Sequence, residues 1–449
     1  MSNEKTKRIA PWFVAIAFVL YAARMFWLIS LYAVNIFFAD QWAFNDATLF
    51  QKHSLWQMFA WQHGPHRQGV GALFEKMVDP IFGWNSRTES FVVGGVIVIA
   101  AATALYLKYR LYGKLSVFDV VIPAIIFTPA QWQSLFETAN FAHGPFPLLL
   151  LLLYCLAWTC PKRVVRYGLV LLINFVLIYT GFGVFLGILT PILLAVDYWS
   201  SNPQDRLPGV GLALTLLAAL GSLGFFFHGY KFNAAIDCFS FQPRRPKEYA
   251  AFVDLMFANF FTVKGTHGFV LVLGGALLLS VLIAMAAATS PLLSRRDHKG
   301  RELERSRHLI VLALTAYTLL FCVNTAYGRL CGGLPMALAP RYVIYIEPAL
   351  LGVYFHLHGI GHRSWRKWLL RAFLLAVVAA SFRTDRKEMG HISDVKQRWK
   401  ACYLRVEDIK RCDQAAGFPI HPPHIEQTYL EQKLQFLKQR RLNLYQDSR

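Results

Sequence analysis

Long apolar runs are the feature that most restricts the fold of this sequence. Runs of about 15–25 apolar residues recur along the chain, and a helix of this length crosses about 30 Å of hydrocarbon. Since lipid offers no hydrogen-bond partners to the backbone, such runs cross a membrane as helices. The composition agrees: 55% of the residues are hydrophobic and 16% are charged, whereas a soluble domain has about 25% charged residues. We therefore predict an all-α integral membrane protein.

The distribution of basic residues orients these helices. The net charge is +20, and the basic residues concentrate in short loops between apolar runs, most strongly in residues 295–307, as is typical of cytoplasmic loops. This pattern also argues against nucleic-acid binding. Alternation from the basic N-terminus gives about eleven transmembrane helices. The chain is expected in a bacterial cytoplasmic (inner) membrane, with a cytoplasmic N-terminus and a periplasmic C-terminal tail.

The predicted topology divides the chain into a membrane domain, residues 1–382, and a polar extracytoplasmic tail, residues 383–449. Residues 45–61 and 70–82 have helical apolar spacing and are expected to form interfacial helices in the first outer loop. Residues 167–199 are too long for one span, and Gly181 and Gly183 predict a hairpin of two short spans. The predicted outer loops are residues 37–90, 129–145, 229–264 and 325–341.

The cysteines carry no metal-ligand spacing, which argues against a zinc site. Cys155, Cys160 and Cys322 lie in or beside predicted spans and are interpreted as packing residues. The other four lie on the predicted outer side, where disulfides form. The sequence leaves open whether Cys238 pairs with Cys331 and Cys402 with Cys412.

The stretch after the first span, residues 37–67, is rich in titratable and aromatic side chains. Asp40, between Phe38 and Trp42, would be partly desolvated and could serve as a general base for an acceptor hydroxyl. The alternative is a helix cap, a role that Asp46 could equally fill. The sequence alone does not decide between these two roles for Asp40.

The end of this stretch carries His63, His66 and Arg67 at positions i, i+3 and i+4. Arginine with histidine suits phosphate oxygens, because the guanidinium offers a bidentate fork. The same cluster could contact lipid head groups. A metal held by His63 and His66 would lack a third ligand at local spacing, so no metal site is predicted.

A second polar group of residues, 131–143, follows the third span. Glu137 could act as a second acid or base or accept hydrogen bonds from sugar hydroxyls, and Trp132 could stack on a sugar face. An aromatic belt at the membrane interface is an equally good interpretation of these residues.

Several arginines lie on the predicted outer side, against the positive-inside trend: Arg244, Arg245, Arg329 and Arg341. Topology gives no reason for them, so they indicate an anionic ligand, although Arg341 at the start of a span could also be an interfacial anchor. The predicted spans contain few ionisable residues, which disfavours a pump or a transporter. Motifs typical of soluble enzymes, such as a Walker loop or GxSxG, are absent from the sequence.

Four short motifs stand out in the predicted outer segments: Asp40-Gln41-Trp42, His63-Gly64-Pro65-His66-Arg67, Gln131-Trp132-Gln133 and Arg341-Tyr342. Together they resemble the C-type (GT-C) membrane glycosyltransferases, within a group of poorly characterised bacterial multi-pass proteins. The motifs cover the first 150 residues, with one further match near residue 341, and they depart from the group at Pro65 and Gln133, where acidic residues are expected. If such an acidic residue bound a metal or a sugar, Glu75 or Glu137 would have to substitute.

The resemblance implies transfer of a sugar from a polyprenyl-phosphate donor to an acceptor hydroxyl at the periplasmic face, with Asp40 as the catalytic base. It implies no cofactor, a divalent metal being unexpected, and it implies membrane lipids, the lipid-linked sugar and a glycan or lipid acceptor as partners. The alternatives are a transporter or flippase for a lipid-linked or anionic glycan, and a non-catalytic assembly factor. The implied donor-phosphate ligands are His66, Arg67, Arg341 and Tyr342. The implied sugar or acceptor contacts are Trp42, Trp61, His63, Trp132 and Glu137.

Overall fold

The computed structural model describes residues 2–232, 245–294, 302–361, 364–421 and 429–446, with side chains from residue 9 onward. Predictions that involve Cys238, Arg244 and residues 295–301 lie outside the described residues. Helices dominate, and the strands found in the described ranges form a single antiparallel hairpin of β1 (Gln62–His63) and β2 (His66–Arg67). The all-α class predicted from the sequence is confirmed.

A helix lies at each position where a span was predicted. Five of these helices are long and apolar enough to cross a membrane, and the number that do cross stays a prediction. The helices are α1 (Ser2–Tyr32), α5 (Ser86–Tyr112), α6 (Val121–Ile126), α7 (Pro145–Ala157), α8 (Arg163–Leu177), α9 (Val184–Ser200), α10 (Gly209–Phe227), α12 (Gly268–Leu293), α13 (Glu302–Arg329), α14 (Val343–Gly359) and α15 (Ser364–Phe382).

Helix α14 lies at the centre of this bundle. Every residue from Val343 to Phe355 is buried, whereas α10 and α12 carry large exposed apolar side chains such as Leu217 and Val272. In a membrane protein such side chains face lipid, so α10 and α12 lie at the periphery. The residues just before α14, including Arg341 and Tyr342, therefore lie near the central axis of the bundle, at one of its ends.

The predicted hairpin within residues 167–199 is present, with a turn between α8 and α9. Gly181 has a φ of +24°, and a Cβ there would lie 2.8 Å from the Ala142 carbonyl oxygen. A Cβ on Gly183 would lie 1.8 Å from the Leu177 carbonyl oxygen. Glycine is thus required at both positions, and the close approach that it permits brings Phe182 against His66 and Tyr345.

The first loop, residues 37–90, differs from its prediction. The single helix expected over residues 45–61 is divided into α2 (Gln41–Asn45), a π-helical turn and α3 (Leu55–Phe59). The reason is local: Gln51 is extended, and Ser54 and Gln57 form a capping box that begins a new helix. The second predicted interfacial helix corresponds to α4 (Gly69–Val78).

The C-terminal segment folds onto the first loop. It contains α16 (Arg386–Val406), α17 (Ile409–Ala416) and α18 (Leu430–Arg440). One further helix, α11 (Pro246–Asn259), lies between α10 and α12 in the sequence. Trp399 and Leu434 of the C-terminal segment share one apolar cluster with Phe37 and Trp42. A disulfide joins Cys402 to Cys412 within the segment. Because of the shared apolar cluster, the C-terminal segment forms part of the structure that surrounds residues 38–42.

The opposite end of the bundle contains buried ion pairs, each of which joins a carboxylate of a predicted span to a basic residue of a predicted cytoplasmic loop. Arg305 Nε lies 2.8 Å from Asp197 Oδ1, and the Tyr167 hydroxyl donates to Asp197 Oδ2 at 2.8 Å. Lys108 and Asp119 form a second pair at 2.7 Å with no exposed surface. The pairs lie near the ends of helices, where hydropathy averaged over a whole run does not detect them.

We expect Asp197→Ala to lower the free energy of unfolding by about 3–5 kcal/mol, because the buried Arg305 loses its close, fully buried carboxylate partner and keeps only the more exposed Glu302 at 3.5 Å. Thermal unfolding of the purified protein in detergent measures the loss. The control is Asp394→Ala on the exposed face of α16. Equal unfolding midpoints for the two variants would contradict the structural role of the pair.

Candidate active site

A cavity of about 370 Å³ lies where the first loop, the second loop (residues 129–145), the end of α13 and the start of α14 meet. Its volume is within the usual range for ligand pockets, roughly 300–1,000 Å³. The charged and imidazole side chains that line it are Asp40, His63, His66, Glu137, His143, Arg329 and Arg341. The charged and imidazole residues predicted to share a site are therefore brought together except for Arg67, whereas the three predicted tryptophans do not line the cavity.

A tightly held turn places Asp40. The Phe38 amide donates to Gln41 Oε1 at 3.0 Å, the Ala39 amide donates to the Ile420 carbonyl at 2.8 Å, and Ala39 has a φ of +49°. The Asp40 side chain is exposed and makes no capping hydrogen bond to α2, so the helix-cap alternative does not apply. Asp46, in contrast, pairs with Lys433 at 2.8 Å. The carboxylate of Asp40 is thus directed to the cavity.

The β-hairpin brings two histidines to the cavity wall. Gly64 adopts a φ of +54° at the turn, and His63 pairs with His66 across the strands. Burial lowers the pKa of His63, and burial together with His143 and His63 holds the pKa of His66 well below its ordinary value. These imidazoles are neutral at pH 7. They can donate or accept hydrogen bonds there, but they supply no positive charge to a phosphate.

His143, in the second loop, is a further imidazole in this wall to which the sequence assigned no role. Its ring centroid lies 5.3 Å from that of His66, and its Nδ1 lies 3.4 Å from the Tyr345 hydroxyl. Burial lowers its pKa to about 4. His143 belongs to the polar group of residues 131–143 that follows the third predicted span, and this group was the sequence feature that could have identified it.

The phosphate-binding role predicted for Arg67 is not supported by its position. Its guanidinium is buried and donates to the carbonyls of Phe226 at 2.7 Å and His228 at 2.6 Å, and also to that of Ala60. Every nitrogen of the guanidinium thus has a carbonyl partner. Arg67 connects the first loop to the end of α10 and offers no free fork to a ligand.

The cations of the cavity are Arg341 and Arg329. Arg341 is partly buried, its guanidinium lies over the Tyr342 ring at 5.5 Å, and it interacts electrostatically with Asp40 and Glu137. Arg329 is exposed at the end of α13 and acts electrostatically on His66 and His143. Arg329 was absent from the predicted phosphate ligands, although its position against the positive-inside trend had marked it.

Glu137 lies at the end of a π-helical turn, Gln133–Glu137. Burial raises its pKa to about 6, against the opposing effects of Lys396 and Arg341. Lys396, from α16, is buried and donates to the carbonyls of Phe136 at 3.1 Å and Glu137 at 2.7 Å. The C-terminal segment therefore supplies a cation behind the cavity that the sequence did not predict.

The raised pKa of Glu137 predicts a pH dependence. The folded protein binds this proton more tightly than the unfolded chain, so the stabilisation is present below about pH 4.5 and is lost as the pH rises through about 6. The variant Glu137→Gln cannot ionise and does not lose this stabilisation. As the pH rises from about 4.5 to above 6, we therefore expect its free energy of unfolding to increase by about 2 kcal/mol relative to that of the native protein. Lys396, Arg341 and Glu388 face this carboxyl, and Gln133 hydrogen-bonds to it.

Thermal unfolding at a series of pH values measures the difference between the two proteins. Glu431→Gln, on the exposed face of α18, is the control, because it removes one carboxylate without changing the cavity. A difference between Glu137→Gln and the native protein that does not change with pH would contradict the raised pKa.

The tryptophans predicted to contact sugar lie elsewhere. Trp42 and Trp132 are buried in apolar clusters and do not line the cavity. Trp61 packs behind the wall, with its ring 5.1 Å from that of Phe44 and 5.5 Å from that of His63. The aromatic surfaces within the cavity are instead those of Phe38, Phe44, Phe182 and Tyr342.

Outside this cavity, one group of carboxylates is close enough to share a metal ion. Glu75, Asp79 and Glu89 are buried, and one oxygen of each lies within 4.8 Å of the others. This is the only such group found among the described residues, and none of its members lines the cavity.

Comparison with known proteins gives distant structural matches only. No protein-family model matches the chain, and no curated protein matches it. Two matching solved structures are of an oligosaccharyltransferase from Archaeoglobus fulgidus. One is AglB in complex with an inhibitory peptide and a dolichol-phosphate, at 12% identity and a TM-score of 0.40, covering 92% of this chain and 60% of that one.

The other structure has an acceptor peptide containing the NVT sequon tethered by a disulfide bond. It is also 12% identical with a TM-score of 0.40, over 91% of this chain and 59% of that one. This chain thus spans about three fifths of the length of either match. Similarity at this level establishes neither the fold nor the activity of this chain, so its function has to be inferred from the residues of the cavity.

Proposed function

We propose that this protein is a membrane glycosyltransferase of the C type, which transfers a sugar from a polyprenyl-phosphate donor to an acceptor hydroxyl. The observation that carries the proposal is the single cavity that collects Asp40, Glu137, Arg329 and Arg341 at one end of a bundle of apolar helices. The cavity thus offers a general base, Asp40, together with an anion-binding site formed by the guanidiniums of Arg329 and Arg341. A lipid-linked phosphate would reach this space from the bilayer.

In the proposed reaction, Asp40 takes the proton of the acceptor hydroxyl as its oxygen forms a bond to the anomeric carbon. The bond from that carbon to the phosphate oxygen breaks, and its electron pair leaves on the phosphate. Arg341 and Arg329 stabilise the charge that develops there. A single displacement of this kind inverts the configuration of the sugar.

The remaining residues of the wall have supporting roles in this proposal. His63, His66 and His143, neutral at pH 7, exchange hydrogen bonds with sugar hydroxyls or phosphate oxygens. Glu137 accepts hydrogen bonds from the sugar, and Phe182 and Tyr342 provide apolar faces for it. No metal is needed in this scheme, because the arginines neutralise the leaving group.

The proposed location is the periplasmic face of a bacterial cytoplasmic membrane. The Cys402–Cys412 disulfide lies in the segment that packs beside the cavity, and disulfides persist in oxidising compartments. The opposite end of the bundle carries Lys108, Arg163 and Arg305, as expected on the cytoplasmic side. Both features support the same orientation.

Reconstitution tests the proposal. The purified protein in proteoliposomes, given polyprenyl-phosphate sugars and a panel of hydroxyl acceptors, is expected to release polyprenyl phosphate as glycosylated product forms. The alternative function, a flippase, would move the lipid-linked sugar between leaflets and release no phosphate. Transbilayer movement without release would overturn the enzyme proposal.

A further inference from the structure

A second polar site lies behind the turn that carries Asp40. Glu75 and Asp79 are four residues apart at the end of α4, so they share one face of that helix. The short turn Asp79–Phe82 then reverses the chain, and α5 presents Glu89 from its first turns back toward them. The sequence from residue 75 to residue 89 thus places three carboxylates around one point.

These carboxylates have few hydrogen-bond partners. Glu75 is 1% exposed, and neither of its oxygens has a hydrogen-bond partner within the described residues. Asp79 Oδ1 is also unpartnered there, while Glu89 Oε2 accepts from Gln41 Nε2 at 3.1 Å. An unpartnered buried carboxylate is costly. Consistently, burial, reinforced by Glu89 and Asp79, raises the pKa of Glu75 well above its ordinary value, and burial raises that of Asp79 to about 8.

We propose that Glu75, Asp79 and Glu89 bind a hard divalent cation such as Ca²⁺, Mg²⁺ or Mn²⁺. Such ions take oxygen ligands and carboxylates above all. A divalent cation would also offset two of the three negative charges of these carboxylates. The buried Lys396, which interacts electrostatically with both Glu137 and Glu89, supplies further positive charge nearby.

The cation would fix the turn at Asp40 without touching a substrate. Gln41 Nε2 donates both to Glu89 Oε2 and to the Ala139 carbonyl at 2.9 Å, while Gln41 Oε1 accepts from the Phe38 amide. A cation that orders Glu89 therefore orders Gln41, and with it the residues on either side of Asp40. The site is structural, and its existence is independent of glycosyl transfer.

Binding is tested on the purified full-length protein in detergent, stripped with EDTA and dialysed. Isothermal titration with Ca²⁺, Mg²⁺ and Mn²⁺ separately is expected to show one saturable site for at least one ion, with a higher thermal midpoint at saturation. Glu75→Gln should weaken that affinity at least tenfold. Its unfolding midpoint in EDTA should stay close to that of the native protein, because glutamine has nearly the size of the glutamate side chain and carries no charge.

The control is Asp394→Asn, an exposed carboxylate on α16, which should bind the ion as the native protein does. Absence of saturable binding by all three ions would overturn the proposal and leave protons as the neutralising species. Equal affinity in Glu75→Gln would overturn it too, by placing the bound ion elsewhere. Neither result depends on an assay of transfer.

Discussion

Asp40→Asn is expected to lower the turnover number of glycosyl transfer by about 10²–10⁴-fold, the usual contribution of a general base. The amide has the shape of the carboxylate but cannot take the proton of the acceptor hydroxyl. Donor binding should persist, because the arginines and the cavity wall are unchanged. Turnover and donor affinity, measured separately in detergent micelles, distinguish a chemical defect from a binding defect.

Asp46→Asn is the matched control for this experiment. Asp46 lies in the same loop six residues further on, outside the cavity lining, with its carboxylate paired to Lys433. Its replacement should leave turnover close to the native value. Native turnover in Asp40→Asn, or an equal loss in both variants, would exclude Asp40 as the base.

Arg341→Gln is expected to lower kcat/KM by about 10²–10³-fold, the cost of removing one preorganised group that stabilises developing charge. Since the phosphate is charged in the bound donor as well, part of the loss should appear as weaker donor binding. Arg341→Lys should recover only part of it, because an ammonium is a point charge without the planar fork of arginine.

The control for Arg341 is Arg245→Gln. Arg245 is exposed, lies outside the cavity lining and pairs with Glu248 at 3.4 Å. It shares the predicted outer side with Arg341, so the control separates a specific phosphate ligand from general attraction by surface charge. Comparable losses in the two variants would favour surface charge and remove Arg341 from the site.

The positions of the helices could be predicted from the sequence because hydropathy is local. A run that is apolar enough to leave water forms a helix wherever it packs, so α5 and α12 follow from their own residues. The break near Gly181 was predictable for the same reason, from run length and glycine. The helix expected over residues 45–61 is divided because one capping box begins a new helix within it. The apolar periodicity continues across that position and therefore gave no sign of the break.

The roles of individual site residues were less predictable because they depend on contacts distant in sequence. Asp40, Glu137 and Arg341 line one cavity, as their chemistry suggested. Arg67 carries the same chemistry, yet the carbonyls of Phe226 and His228, about 160 residues away, occupy its donors. Trp42 is covered by the C-terminal segment. No spacing within a motif contains that information.

The contacts of the C-terminal segment have a consequence for biogenesis. Lys396 and Lys433 donate to the carbonyls of Glu137 and Trp42, so the wall around Asp40 is completed by residues that are synthesised after the helices of the bundle. The first loop is synthesised early and stays incompletely packed until the C-terminal segment, which follows helices α5 to α15, has been made. The cavity is therefore complete only after the whole bundle has been synthesised, and a chain interrupted before α16 would lack the cation behind Glu137 and the cover over Trp42.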